Sequence, residues 1–167
     1  DPSGGGALLV NCDVWVEACL FDSCIAAWGG GLSLKTTSAT ITDSQFVRNS
    51  SVVGGGVEIR GVGSATQVAL IRTTWQRNLA STDDGGYGAG GGLSASDVLM
   101  TMEECLFDAN DAAYWGGAVE AFDAIVECQG TVFAENDAIG GRCMKIQNTA
   151  WGMRNSVICG SGLDPIE

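Results

Sequence analysis

Acidic side chains are the groups in this chain whose type and spacing could support chemistry. The sequence contains no histidine, which excludes catalysis by an imidazole base or by a serine–histidine pair. Carboxylates can act as general acids and bases or hold Ca²⁺ when several of them converge on one face. The candidate groups are Asp83 with Asp84, Glu103 with Glu104, Asp108 with Asp111, and Glu135 with Asp137.

A cation site is the most specific use of these acids, and Asp83 and Asp84 are the candidates for it. They lie in the segment STDDGGYG at 81–88, whose glycines and small polar residues predict a loop. Asp111 and Asp137 share a column of the repeat and are expected to be solvated charges on an acidic surface. The seven cysteines lack paired C-x-x-C spacing, so a structural zinc site is not expected. We therefore predict no resident cofactor, with Ca²⁺ at Asp83 and Asp84 as the alternative.

Composition limits the partners. The chain has 167 residues, of which 46% are hydrophobic, and 8 basic against 20 acidic residues give a net charge of −12. Nucleic acids and anionic membranes attract clustered Lys and Arg, so neither is an expected partner. No run of about 18 apolar residues occurs, as a transmembrane helix would require.

Two short motifs alternate along the chain and define a repeat. The first is a glycine cluster followed by apolar residues: GGGALL at 4–9, GGGLSL at 29–34, GGGVEI at 54–59, GGGLSA at 90–95, GGAVEA at 116–121 and GGRCMK at 140–145. The second begins with an aromatic residue: FDSC at 21–24, FVRN at 46–49, WQRN at 75–78, FDAN at 107–110 and FAEN at 133–136. In four repeats the aromatic residue lies 15 positions after the third residue of the cluster. This shared spacing predicts stacked structural repeats.

The residues between the motifs alternate with a period of two, as in strands with one buried face. In one repeat Val57 and Ile59 face one way and Glu58 the other, and the following repeat has Leu93 and Ala95 around Ser94. Stacking such repeats places like residues in columns, which favours a parallel β-helix. Helical and leucine-rich repeats are excluded because their patterns are missing. The sequence thus predicts an all-β solenoid of about six coils.

Two columns should hold the coils together. The aromatic column, Phe21, Phe46, Trp75, Phe107 and Phe133, should fill the core. The asparagine column consists of Asn49, Asn78, Asn110 and Asn136. Asparagine tolerates turns and left-handed conformations, and stacked amides can satisfy one another from coil to coil. Asn49 also begins an N-x-S sequon, but a buried ladder position excludes a glycan at the same side chain, and the ladder has more support.

The third repeat is longer than the others, with loop insertions within 60–67 and 79–89. They add four residues before Trp75 and about seven after Asn78. Insertions in solenoids form surface loops, often on the binding face. The second insertion contains Asp83, Asp84 and Tyr87 and is either a contact site or a tolerated surface loop.

The combination of GGA or GGG with F-x-x-N resembles the repeats of the chlamydial polymorphic outer membrane proteins. The resemblance runs from residue 4 to about residue 160, with Trp75 in place of one phenylalanine. It implies a right-handed parallel β-helix of the pectin-lyase type. It also implies display on the cell surface and a role in adhesion.

These observations together predict one β-helix domain over residues 1–167, as a segment of a longer solenoid. We expect a structural protein, extracellular or on the cell surface, that acts as an adhesin stalk or a filament building block. Its expected partners are further coils or copies of itself end to end, together with surface glycans or proteins. The alternative is a polysaccharide lyase or glycoside hydrolase of pectin-lyase-like fold. We do not expect an enzyme, because no three acids and a basic residue align across adjacent coils.

Overall fold

The computed structural model describes residues 3–63, 65–82 and 87–160. Within these ranges the chain forms short strands that pair in parallel with the equivalent strands of the next coil. The coils stack into a solenoid of about six turns. The predicted all-β fold is therefore confirmed.

The strands of each coil follow one another in a fixed order and build four parallel sheets. Sheet 1 collects the strands after the glycine clusters: β1 (Ala7–Val10), β4 (Leu32–Lys35), β8 (Val57–Arg60), β12 (Leu93–Ser96), β16 (Val119–Phe122) and β20 (Met144–Gln147). Sheet 2 collects β2 (Asp13–Glu17), β5 (Ser38–Thr42), β9 (Gln67–Ile71), β13 (Leu99–Glu103), β17 (Ile125–Gln129) and β21 (Ala150–Arg154).

The other two sheets complete each coil. Sheet 3 carries the aromatic motif: β3 (Leu20–Asp22), β6 (Gln45–Val47), β10 (Thr74–Gln76), β14 (Leu106–Asp108), β18 (Val132–Ala134) and β22 (Val157–Cys159). Sheet 4 is shorter and contains β7 (Ser50–Ser51), β11 (Leu79–Ala80), β15 (Asp111–Trp115) and β19 (Asp137–Gly140). Every pair is parallel, and apart from an irregularity between β15 and β19 the pairs keep one register, so equivalent residues of successive coils form columns along the axis.

The glycine clusters turn the chain into sheet 1 and let the coils approach closely. Gly90 has a φ of +66°, in the left-handed region that favours glycine. A Cβ built on Gly91 would lie 2.3 Å from the carbonyl oxygens of Asp111 and Gly117. Any side chain at this position would push adjacent coils apart. The stacking of the coils therefore requires the repeated glycines.

The aromatic residues of sheet 3 stack face to face along the axis. Successive ring centroids are separated by 4.8, 5.5, 4.5 and 5.1 Å, and the ring planes are within 12° of parallel. The four rings from Phe46 to Phe133 are fully buried. Phe21, in the first coil, is only partly buried. Apolar residues of sheets 1 and 2 pack around this stack and complete one continuous core.

The asparagine side chains form a buried hydrogen-bonded ladder beside the stack. Asn110 shows the pattern: its Oδ1 accepts hydrogen bonds from the backbone N–H of Asn78 at 3.0 Å and from Asn78 Nδ2 at 2.9 Å. Its Nδ2 donates to the carbonyl oxygen of Trp75 at 3.0 Å and to Asn136 Oδ1 at 2.9 Å. Each amide thus satisfies backbone groups of the neighbouring coil as well as the next amide.

One part of the sequence reasoning about these asparagines is wrong. None of the four ladder asparagines has a positive φ. The residue before each of them adopts the left-handed conformation instead, as in Arg48, Arg77 and Ala109, whose φ values lie between 51° and 53°. Asparagine occupies the column because its side-chain amide forms hydrogen bonds in both directions along the solenoid axis. The turn conformation itself does not require asparagine at this position.

The insertions of the third coil lie in connections between strands. Six residues separate β8 from β9, whereas two residues separate the equivalent β12 and β13. In sheet 4, Ser51 pairs with Ala80 and Val53 bridges to Ala89. Two positions separate the first residues of these pairs and nine separate the second, so the third coil has seven additional residues at this connection. Tyr87, near the end of this insertion, lies at the outer face of sheet 1.

Candidate functional site

The outer face of sheet 1 carries a groove of about 600 Å³. Its floor is formed by residues of β8, β12 and β16 whose side chains point away from the core. Trp28 and Trp115, which each precede a glycine cluster, contribute to its walls, and Tyr87 enters from the second insertion. The alternation of the strands places the polar residues of the floor here, because their apolar neighbours face inward.

A single column of sheet 1 carries the two carboxylates and the lysine of the groove. The register places these side chains in the order Ser33, Glu58, Ser94, Glu120 and Lys145 on successive strands. At a strand spacing of about 4.8 Å, the Cα atoms of Glu58 and Glu120 are about 10 Å apart. Ser94 lies between them. The two carboxylates therefore flank one hydroxyl group on the floor.

Glu58 lies under one wall of the groove and has its charge compensated. Only 1% of this residue is exposed. The hydroxyl of Ser33 donates to Glu58 Oε2 at 2.6 Å, and Arg60 Nε lies 2.6 Å from Oε1 in an ion pair. The guanidinium of Arg60 also lies 4.6 Å from the centroid of the Trp28 ring, in a cation–π contact. Trp28 and Arg60 thus form one wall as a packed unit.

Glu120 forms the opposite side of the floor. The hydroxyl of Tyr87 donates to Glu120 Oε1 and that of Ser94 donates to Oε2, both at 2.9 Å. Burial raises the pKa of Glu120, although these hydrogen bonds and the charge of Lys145 act in the opposite direction. Burial and the nearby Glu120 carboxylate raise the pKa of Tyr87 to about 12. Tyr87 is therefore a neutral hydrogen-bond donor at physiological pH.

The second wall, like the first, combines a cationic side chain with a tryptophan ring. Lys145 Nζ lies 4.4 Å from the centroid of the Trp115 ring. Phe122, at the end of β16, adds a further partly exposed aromatic surface. The groove therefore offers aromatic faces on both sides, two carboxylates and hydroxyl groups on its floor, and one cation at each wall.

The acids selected from the sequence lie elsewhere. Asp83 and Asp84 lie outside the described residues. Asp111 and Asp137 are neighbours on sheet 4, where burial and then the charge of Asp137 raise the pKa of Asp111. Arg142 Nη1 lies 2.9 Å from Asp137 Oδ1 in an ion pair between exposed side chains. This acid pair belongs to a different face from the groove.

The remaining candidate acids lie at turns or on the strands of sheets 2 and 3. Glu104 and Glu135 occupy left-handed turn positions, with φ values of 51° and 53°. Glu103 points outward from sheet 2, and Asp108 accepts a hydrogen bond from Gln76 at 2.8 Å. Among the residues that the structure describes, no group of three or more Asp, Glu, Cys or His side chains could hold a metal ion.

The groove residues could have been found from repeat positions. GGGVE at 54–58 and GGAVE at 116–120 place a glutamate at the same position of two repeats, and WGG occurs at 28–30 and 115–117. Strand alternation places both glutamates on the outward face, but it does not predict that they share a groove. The two glutamates are two coils apart, and Tyr87 of the insertion bonds to Glu120.

Comparisons with protein families, curated proteins and solved structures give no match. Within the described part of the chain, no helix is long and apolar enough to span a membrane. The case for a function therefore depends on the groove and on the repeat pattern.

Proposed function

We propose that this chain forms part of an extracellular or cell-surface β-helical rod that binds glycans through the groove on sheet 1. The observation that carries the proposal is the groove itself, in which aromatic walls flank two carboxylates and a serine hydroxyl. The resemblance of the repeats to those of surface adhesins supports the location and the role in adhesion. A continuous stacked core supports the role of a rigid stalk or filament segment, extended by further coils or copies end to end.

Saccharides match the chemistry of this groove. Sugar hydroxyls both donate and accept hydrogen bonds, while the C–H face of a pyranose ring is apolar enough to pack on an aromatic side chain. Ser94 and Glu120 supply acceptors, and Trp115 and Phe122 supply apolar surface. The volume of about 600 Å³ lies within the range of about 300–1,000 Å³ that is usual for small-ligand sites.

Binding to a panel of immobilised oligosaccharides tests the proposal. We expect the parent chain to bind members of the panel, and Tyr87→Ala to weaken this binding because it removes both an aromatic surface and the hydrogen bond to Glu120. Trp15→Ala is the matched control, because Trp15 is 77% exposed on the outer face of sheet 2. Equal losses in both variants, or no binding by the parent, would contradict the proposal.

A second candidate is a glycoside hydrolase, favoured by the separation of Glu58 and Glu120. Inverting glycosidases hold their two carboxyl groups about 6.5–9.5 Å apart, and the Cα atoms of Glu58 and Glu120 are about 10 Å apart at two strand spacings. The raised pKa of Glu120 would suit a general acid. Glu58, however, is covered by Arg60 and would have to be uncovered to activate water. Release of reducing ends from the bound oligosaccharides, abolished in Glu120→Gln, would favour the hydrolase over a binding protein.

A further inference from the structure

We infer that the glycan recognised by this groove is an amino sugar, whose positively charged amino group lies beside Ser94 between Glu58 and Glu120. This inference rests on the proposed function and specifies the class of its ligand. It follows from the order of charges on the outer face of sheet 1, the direction of the hydrogen bonds and the aromatic walls.

The charges of the groove have a fixed order along the axis, with two carboxylates on the inside and one cation on the outer side of each. Arg60 reaches back over Trp28 at one side, and Lys145 lies beyond Glu120 at the other. The two cations are therefore on the outer sides of the carboxylates, and Ser94 is the position between the carboxylates. A group beside Ser94 is about 4.8 Å, one strand spacing, from each carboxylate position. A single positive charge at this position interacts favourably with both.

The hydrogen bonds leave this position rich in acceptors. Ser33 donates its hydroxyl hydrogen to Glu58 Oε2 and Arg60 forms an ion pair with Oε1, while Tyr87 and Ser94 donate their hydroxyl hydrogens to Glu120. The hydroxyl oxygen of Ser94 retains lone pairs, and each carboxylate oxygen can accept more than one bond. An ammonium group carries three donors and no acceptor, which matches this set. A ligand carboxylate would meet two like charges instead.

The aromatic walls already hold cations of the chain itself. The ammonium of Lys145 packs on Trp115, which shows that this surface accepts a positively charged amine. Tyr87 and Phe122 are partly exposed and offer further ring surface to the sugar. The net charge of −12 also attracts a cationic oligosaccharide and repels a uronate polymer.

The burial of Glu120 also favours a positively charged ligand group. Burial raises the pKa of its carboxyl, so the ionised form lacks part of the stabilisation that water would give it. Glu58 has Arg60 as an ion-pair partner at 2.6 Å, while the charge of Lys145 only partly offsets the burial of Glu120. A ligand ammonium beside Ser94 would supply Glu120 with a counter-charge that a neutral sugar lacks.

The test compares two ligands that differ only at the amino group. Calorimetric titration of the full chain with a trimer of β-1,4-linked glucosamine and with its N-acetylated counterpart should give about tenfold tighter binding of the amine, a difference of about 1.4 kcal/mol. Titrations are made at a pH that keeps the amine protonated. The preference should decrease with added salt, because it arises from charge.

Variants locate the preference in the groove. Glu120→Gln should reduce the ratio of the two affinities to about one, whereas Glu103→Gln, which alters an exposed glutamate on sheet 2, should leave it unchanged. Thermal melts check that both variants are folded. The salt dependence of the parent tests the electrostatic origin of the preference without a substitution. Equal, salt-independent affinities in the parent would overturn the amino-sugar inference while leaving glycan binding intact. Absence of binding to both trimers and to every glycan of the wider panel would refute the proposed function as well.

Discussion

Replacing Asn110 by alanine tests the ladder as a source of stability. The substitution removes four buried hydrogen bonds, two accepted from Asn78 and one donated to each of Trp75 and Asn136. At a net contribution of about 0.5–1.5 kcal/mol per bond, the expected loss is about 2–6 kcal/mol. The buried backbone N–H of Asn78 also loses its partner, which favours the upper part of this range. A domain is stabilised by only about 5–15 kcal/mol, so the effect is large.

Urea unfolding followed by tryptophan fluorescence measures this loss. Thr101→Ala is the control, since Thr101 is exposed on the outer face of sheet 2, and it should unfold at the parent's midpoint. Asn110→Ala should unfold at a clearly lower urea concentration with a similar dependence on urea. Coincident midpoints for Asn110→Ala, Thr101→Ala and the parent would show that the ladder does not stabilise the coils.

Three further predictions concern the core, the groove and the sequon. Phe107→Ala should lower the free energy of unfolding by about 3–5 kcal/mol, the usual cost of truncating a buried phenylalanine, and an unchanged melting temperature would exclude the ring from the core. Glu120→Gln should be at least as stable as the parent at neutral pH, because a raised carboxyl pKa means that ionised Glu120 costs stability there. Melts at decreasing pH should show this advantage disappearing as the parent's Glu120 becomes protonated, whereas a constant difference would contradict the assignment. Expression in a glycosylating host should leave the folded chain without a glycan, since Asn49 is fully buried and its Nδ2 donates to Phe21 and Asn78; a mass increase on the folded protein would refute this.

The repeat pattern made the fold predictable, because the constraints that create a solenoid are local and recur. Glycines such as Gly91 are required at every coil for close approach, and each coil needs a large apolar ring such as Phe107. Such positions can be read from spacing alone. The asparagines were expected partly because asparagine tolerates left-handed conformations. The turn instead places the residue before each asparagine in the left-handed region.

The groove was harder to predict because it depends on relationships across coils. Glu58 and Glu120 are far apart in sequence and share a column only after stacking. Glu58 is paired with Arg60 of its own strand, which packs on Trp28 of another segment, and Glu120 is bonded by Tyr87 of the insertion. Periodicity predicts that a side chain faces outward, but it does not predict what covers that side chain.

Mapping the binding surface tests the central claim most directly. A nuclear magnetic resonance titration of the isotope-labelled chain with the glucosamine trimer reports which backbone amides respond to the ligand. We predict that the largest shifts occur at Tyr87, Ser94, Ser96 and Glu120, and that they saturate together with one dissociation constant. Shifts centred instead on the outer face of sheet 2 around Trp15, or no shifts at all, would contradict the assignment of the groove as the functional site.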